Sequence, residues 1–252
     1  MGVVATDFGY YLGASIPEDD ASAVGGAVQD AASAGGARIP IFTDISATGT
    51  IEALSNGADA RTLTTSYRRT SGLIVADVLQ LAGTAPQASS QQCERFMKAE
   101  LSAKDAARTV TIRKDSDDVT IAVLKPNFRS VHRMFYGAVS SGSQKVLYEG
   151  FYIQNDNGAG SAALNCTVTL ISDPIGRLKL GLAAAKGNIT AIANRLTAPG
   201  GVSFVDDNVA VAVPGANLAD GERIWVWIEM TLAAAAVAAK SSWQVRIDYT
   251  TT

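Results

Sequence analysis

Histidine is nearly absent from this sequence: His132 is the only one in 252 residues. A Ser-His-Asp arrangement needs a histidine held by a carboxylate beside a nucleophile, and no serine here has nucleophile-elbow spacing. His132 lies in Ser130-Val131-His132-Arg133, at the expected entry to a strand, and reads as a polar linker residue. Cysteine is almost as scarce. Cys93 and Cys166 lie far apart, and no Cys-x-x-Cys or Cys/His spacing offers a zinc site. Each is expected to be a small buried hydrophobe, with no bond between the two. A basic surplus is missing: 21 Lys and Arg against 24 Asp and Glu leave a formal charge of −3, which argues against nucleic acid as a partner. Long apolar runs are missing as well. The longest, residues 232–239, is mostly alanine and too short to cross a bilayer. Residues Met1 to Asp7 show neither the basic start nor the apolar stretch of a secretory signal. The expectation is a protein made in a cytoplasm, with neither membrane nor nucleic acid as partner.

What is present is a core and many short strands. Hydrophobic residues are 47% of the chain, enough to fold. Residues 1–60 are rich in Ala and Gly, with strand candidates only at 8–12 and 38–45, and with Val24-Gly25-Gly26-Ala27 and Ala34-Gly35-Gly36 between them. Glycine carries the largest backbone entropy and small side chains bury little, so this stretch reads as an extended N-terminal arm. From about Thr62 the pattern changes to β-branched runs at 62–67, 73–81, 93–101, 109–113 and 119–124, bounded by Asp, Gly, Ser and Pro. Further runs lie at 133–138, 145–154, 165–172, 178–183, 202–205, 222–231 and 242–249. Such spacing predicts an all-β protein of antiparallel sandwiches. The expected layout is an arm over 1–60 and two tandem sandwich domains over 61–128 and 129–252. Residues 102–108 suggest a helical turn, and 233–240 a connecting loop with a helical turn at most. Both halves run strand, polar connection, strand, turn, strand, from Cys93 to Leu124 and from Tyr148 to Ala183, which suggests an internal duplication.

No constellation calls for a cofactor or a metal. The acidic groups Glu18-Asp19-Asp20, Asp115-Ser116-Asp117-Asp118 and Asp206-Asp207 fall in expected turns and read as solvated turn residues. The Gly-Gly pairs lack the strand–loop–helix setting and the Lys-Ser or Lys-Thr of a phosphate loop. The most informative segment is Ile224-Trp225-Val226-Trp227-Ile228-Glu229. In a strand alternate side chains face opposite ways, so Ile224, Val226 and Ile228 face the core and Trp225 and Trp227 the other side. Two readings stay open for that second face: stacking on sugars or bases, or cover by the arm, a loop or a neighbouring copy.

The chain resembles a loose group of tailed-bacteriophage virion structural proteins with Ig-like β-sandwich cores. The residues that carry the likeness are Phe8 to Ser15, Val24 to Ala27, Ile41 to Ser46, Thr65 to Arg69, Tyr148 to Asn155 and Ala219 to Trp227. The likeness implies a non-enzymatic part of the particle, in the virion and made in the host bacterial cytoplasm, whose partners are other copies of itself and neighbouring neck, tail or capsid proteins. It implies two tandem Ig-like or jelly-roll-type sandwiches, with a neck or tail position slightly preferred. Capsid decoration, or a carbohydrate- or receptor-binding module of the tail, is the alternative. Phe8, Tyr10, Tyr11, Trp225 and Trp227 form the expected assembly surface. The free chain is expected to be monomeric or weakly associated, with the arm ordered only in the assembly, so that deleting residues 1–60 would spare the sandwiches.

Overall fold

The structure, a computed structural model, describes residues 2–138, 141–236 and 243–251. The protein is all-β. Among the described residues the only helical element is one 3₁₀ turn, Ala5–Asp7. The strands of the first half are Phe8–Tyr11 (β1), Gly13–Ser15 (β2), Gly25–Val28 (β3), Ala37–Ile39 (β4), Ile51–Ser55 (β5), Thr62–Arg68 (β6), Ile74–Gln80 (β7), Gln87–Ala88 (β8) and Arg95–Leu101 (β9). Then come Val110–Lys114 (β10), Thr120–Leu124 (β11), Phe128–His132 (β12), Lys145–Asn155 (β13), Leu164–Ser172 (β14), Leu178–Leu182 (β15), Ala210–Ala212 (β16), Arg223–Leu232 (β17) and Gln244–Thr250 (β18).

The chain forms two compact units, and their order along the chain differs from the expected tandem. One unit is Gln29–Met134; the other combines Met1–Val28 with Phe135–Thr252. The first is therefore inserted into the second. The boundary expected at residue 128 falls at 134, whereas that expected at residue 60 is replaced by one at 28. The physical reason lies in β1. It pairs antiparallel with the end of β13, Phe8 opposite Asn155 and Tyr11 opposite Tyr152, which returns the N-terminus to the C-terminal half.

In the inserted unit, β11-β10-β5-β8 form one sheet and β4-β12-β9-β6-β7 another. Pairing is antiparallel except for β4 with β12. Ile51 and Ala53 of β5, Leu63 and Tyr67 of β6, Phe96 and Leu101 of β9, Val110 and Ile112 of β10 and Leu124 of β11 belong to one buried cluster. The alternation that predicted these strands is the alternation that fills this core. In β9 it is interrupted: the register slips where Ser66 opposite Lys98 gives way to Tyr67 opposite Phe96. The bulge at Met97 turns Phe96 back toward the core.

In the composite unit the main sheet is β1-β13-β17-β15; β16-β14-β18 form a second and β2-β3 a hairpin. β13 and β17 are registered from Lys145 opposite Leu232 to Gln154 opposite Arg223. Leu147 to Asn155 and Ile224 to Ile228 are buried without a break, the signature of a sheet covered on both faces.

The expected arm is not an extension of these units but part of them. Val3, Phe8, Leu12 and Val24 are buried in the composite unit, and Ile45, Ile51 and Ala53 in the inserted one. β5 is an interior strand, between β10 and β8. The Ala/Gly composition misled because backbone pairing does not need large side chains. The glycines are used for conformation: Gly25 and Gly26 in β3 have φ of 99° and 83°, a region that side chains disfavour. Other expectations also give way. Residues 102–108 contain no helical turn, 133–138 form a turn after β12, and 202–205 contribute a single bridge, Leu180 with Val205. The internal duplication is not echoed in the pairing: β10 pairs with β11, whereas β14 pairs with β16 and β18 and β15 with β17. Residues 237–240 of the expected connection and residue 242 of the last expected strand lie outside the described residues.

Candidate assembly surfaces

Trp225 and Trp227 stand opposite Tyr152 and Gly150 on β13, away from Ile224, Val226 and Ile228 as alternation requires. Neither tryptophan is at the surface; they are 1% and 3% exposed. The chain covers them itself. The Tyr152 hydroxyl donates to the Gly26 carbonyl at 2.6 Å and accepts from the Ile189 N–H at 2.9 Å. Opposite Trp227, Gly181 is so closely covered that a Cβ there would meet Val202 at 2.5 Å. β3 and the long coil after β15 thus roof this face. The rings pack edge-on, Trp225 to Tyr152 at 4.6 Å and to Trp227 at 5.3 Å. The Trp225 indole lies over Gly150, where any Cβ would collide with it.

The other expected surface residues are in the same unit. Phe8 packs on Tyr249 with centroids 5.0 Å apart, and half-buried Tyr10 lies 6.2 Å from Phe151. The Tyr11 hydroxyl donates to Asp156 at 2.7 Å. Phe8 and Tyr11 are buried. The register of β1 on β13 puts Tyr11 on the tryptophan face and Phe8 and Tyr10 on the aliphatic one. Four of these five residues are therefore interior packing and Tyr10 is half-buried, because β3 and the coil after β15 cover the tryptophan face and Phe8 packs on Tyr249.

The same unit contains a charge network. Arg195, in the coil, is fully buried. Its guanidinium donates to Asp20 at 2.8 and 3.0 Å, to Glu149 at 3.1 Å and to the Tyr136 carbonyl at 2.7 Å. Asp20 also accepts from Lys145 at 2.7 Å. The Arg195 carbonyl accepts the Tyr148 N–H at 2.7 Å, beside the part of β13 that β1 does not reach. Burial pushes the Glu149 carboxyl up to about 7, against the opposing bonds from the Phe135 N–H and Arg195. Burial also acts on Asp20, but the bonds from Lys145 and Arg195 outweigh it and hold that carboxyl below its usual range. Buried charges persist only when paired in this way. One signal was available: Glu149 is the one acidic residue of β13 and interrupts its apolar and aromatic run from Val146 to Ile153.

The remaining chemistry-bearing residues are engaged locally. His132 is buried at the end of β12 and its Nδ1 donates to the Arg133 carbonyl at 2.9 Å, so it closes a strand instead of standing as a polar linker at the entry to one. Cys93 and Cys166 form no disulfide with each other; both are buried, and they lie in different units. In the acidic turns Asp19 accepts from Ser22, Asp117 from Lys114 and Val119, and Asp207 from Asn208; Asp20 alone is turned inward. Among the described residues no group of three or more His, Cys, Asp or Glu is placed to hold a metal ion, and no helix is long and apolar enough to cross a membrane.

Exposed apolar side chains gather at one edge. Leu73 is 59% exposed and Val78 66%, and Ile74 and Ala76 are also exposed. Strand edges offer unpaired backbone groups, which proteins shorten, cover or charge. β4, β8, β1 and β16 are edges of at most four residues. The Thr43 N–H bonds the Ile121 carbonyl of β11 at 2.8 Å, and Leu180 of β15 exchanges bonds of 2.9 Å with Val205. β18 carries the exposed ion pair Arg246–Asp248. β7 has seven residues, ends its sheet, and carries one charge, Asp77, whose carboxylate is tied to Tyr67 and Ser90. The bonds Arg69 N–H to Leu73 and Leu81 N–H to Arg61 set the odd-numbered backbone groups toward β6. Those of Ile74, Ala76, Val78 and Gln80 therefore face away from the sheet.

Comparison with protein-family models, with curated proteins and with solved structures gave no match.

Proposed function

We propose that the chain is a non-enzymatic structural component of a tailed-bacteriophage virion, built on Ig-like sandwiches and acting by docking onto copies of itself and onto other particle proteins. The observation that supports this reading is where the residues of the resemblance fall. Phe8 to Ser15, Val24 to Ala27, Tyr148 to Asn155 and Ala219 to Trp227 supply β1, β2, most of β3, most of β13 and the first half of β17. Ile41 to Ser46 and Thr65 to Arg69 fall in the inserted unit, so the likeness runs through both units, with four of its six segments in the composite one, as expected of residues shared for scaffold rather than for a site. The carbohydrate-binding alternative rested on exposed tryptophans, and burial of Trp225 and Trp227 removes that motive. The test is mass spectrometry of density-purified particles from the source of this sequence, with immunogold labelling against the chain. A fixed copy number per particle and gold at one site are expected. Absence of the chain from intact particles would refute the assignment.

A further inference from the structure

We propose that β7 is a homodimer edge: it pairs antiparallel with β7 of a second copy about a two-fold axis at Ala76, joining two five-stranded sheets into one. The inference stands on strand geometry alone and does not depend on where the protein is used. Backbone N–H and C=O groups spaced along an extended edge at Ile74, Ala76, Val78 and Gln80 are matched by one kind of ligand, another extended strand. Among the described residues β7 keeps this edge open: it is longer than the short edges, it ends its sheet, and its one charge, Asp77, is held by Tyr67 and Ser90.

Charge and register select a second β7 as that strand. A two-fold axis pairs residue i with residue j at constant i + j, so a strand joined to its own copy can be centred on any residue. Centred on Asp77, it would set two carboxylates directly opposite each other, which is destabilising. Asp77 cannot turn away: it accepts from the Tyr67 hydroxyl at 2.5 Å, from the Ser90 N–H at 2.9 Å and from the Ser90 hydroxyl at 2.9 Å. Centred one residue earlier, Ala76 faces Ala76, Ile74 faces Val78 in both directions, and Asp77 faces Val75. Ile74, Ala76 and Val78 then each exchange both backbone bonds with their opposite numbers, and Gln80 lies beyond the paired stretch. The exposed side chains of Ile74 and Val78 are closed against each other on the outer face of the sheet. Centring on Ile74 or Val78 loses this match, since it opposes Ala76 to Gly72 or to Gln80. The one charged residue of the strand thus rules out the neighbouring register and leaves an apolar, self-complementary one.

The test is analytical ultracentrifugation of the full chain over a concentration series, with two variants. Ala76→Pro removes an N–H that faces away from β6, and so breaks no bond inside the protomer. Val78→Lys places a charge on the outer face at the edge. A reversible dimer is expected for the wild type, with its dissociation constant raised at least about tenfold in each variant and circular dichroism unchanged. In a separate arm, Ala76→Cys should cross-link rapidly to its own copy through a short bis-maleimide, because opposed residues lie about 5.5 Å apart, whereas Val209→Cys should not. A wild-type monomer at all concentrations overturns the proposal. So does a dimer that survives Val78→Lys, or one in which Ala76→Cys cross-links no faster than Val209→Cys. If Ala76→Pro fails to fold, the Val78→Lys and cross-linking arms decide.

Discussion

β17 and β7 are both strongly apolar strands, and they have opposite fates. β17 lies between β13 and β15 with both faces roofed, so its tryptophans are 1% and 3% exposed. β7 ends its sheet, and its outer side chains stand in solvent up to the 66% exposure of Val78. Read as residue types, the tryptophans look like a docking surface and the aliphatic run 73–81 like core. The difference teaches that cover decides. Two tryptophans are too much apolar area to leave open, about 150–250 Å² each, and this chain uses β3 and a long coil to close them in. Among the described residues no strand pairs with the outer edge of β7.

The largest effect that separates the two strands should come from removing the cover. Deleting residues 1–60 takes away β1 and β3 from one unit and the interior strand β5 from the other. Both units should lose cooperative unfolding, seen as loss of the thermal transition by calorimetry. A truncated chain that still melts in two sharp transitions would restore the reading of this stretch as a dispensable arm. Next comes Trp225→Ala, which opens a cavity between Tyr152, Gly150 and Trp227 and should cost about 3–5 kcal/mol in urea denaturation. A cost near zero would mean that the roof over β17 is loose and that the tryptophan face is accessible.

Strand content and alternation were legible in the sequence, and the topology was not. The runs at 62–67, 109–113 and 222–231 became β6, β10 and β17 to within a residue or two, because β-branched alternation is a local signal. Among the strands missed, alongside β8, β12 and β16, were β2, β3 and β5. Their residues are small or few, and what makes them strands is the backbone of a distant partner: Ile51 to Ser55 need β10, and Phe8 to Tyr11, although recognised as a strand, join β13 across more than a hundred residues. The nesting of one unit in the other follows from that pairing and leaves no compositional mark. Arg195 was invisible for the same reason. Its partners Asp20 and Glu149 are remote in sequence, and Asp20 sits in an acidic cluster that reads as solvated.

That network gives a smaller, pH-dependent effect on the β13–β17 side alone. Glu149 has a folded-state value near 7, raised from 4.5 mainly by burial. A raised carboxyl favours the folded state most when protonated. Its contribution is therefore complete below the unfolded value of 4.5 and is lost as pH rises through about 7. The amount is on the order of 3 kcal/mol. Asp20, held low by Lys145 and Arg195 after burial is overcome, acts in the opposite direction and only in acid, below the usual carboxylate range. Wild-type urea midpoints should fall between roughly pH 5 and 8, and Glu149→Gln should flatten that slope. Parallel profiles for the two proteins would remove Glu149 from the account.

The smallest effect belongs to β7 and sharpens the comparison most. Val78→Thr keeps the β-branched shape of an edge residue and exchanges a methyl group for a hydroxyl on a side chain that is already 66% exposed. It removes no internal contact of weight and leaves no polar group buried. The isolated protomer should therefore change by no more than about 0.5 kcal/mol, the usual range for surface substitutions. The same exchange at Val226, fully buried on β17, places a hydroxyl where no water reaches, and should cost about 1–3 kcal/mol. Urea denaturation of both variants at protein concentrations low enough to dissociate any dimer isolates the protomer term. Equal costs at the two sites would mean that β7 is covered within the chain after all, and would remove both the contrast with β17 and the open edge on which the β7 pairing depends.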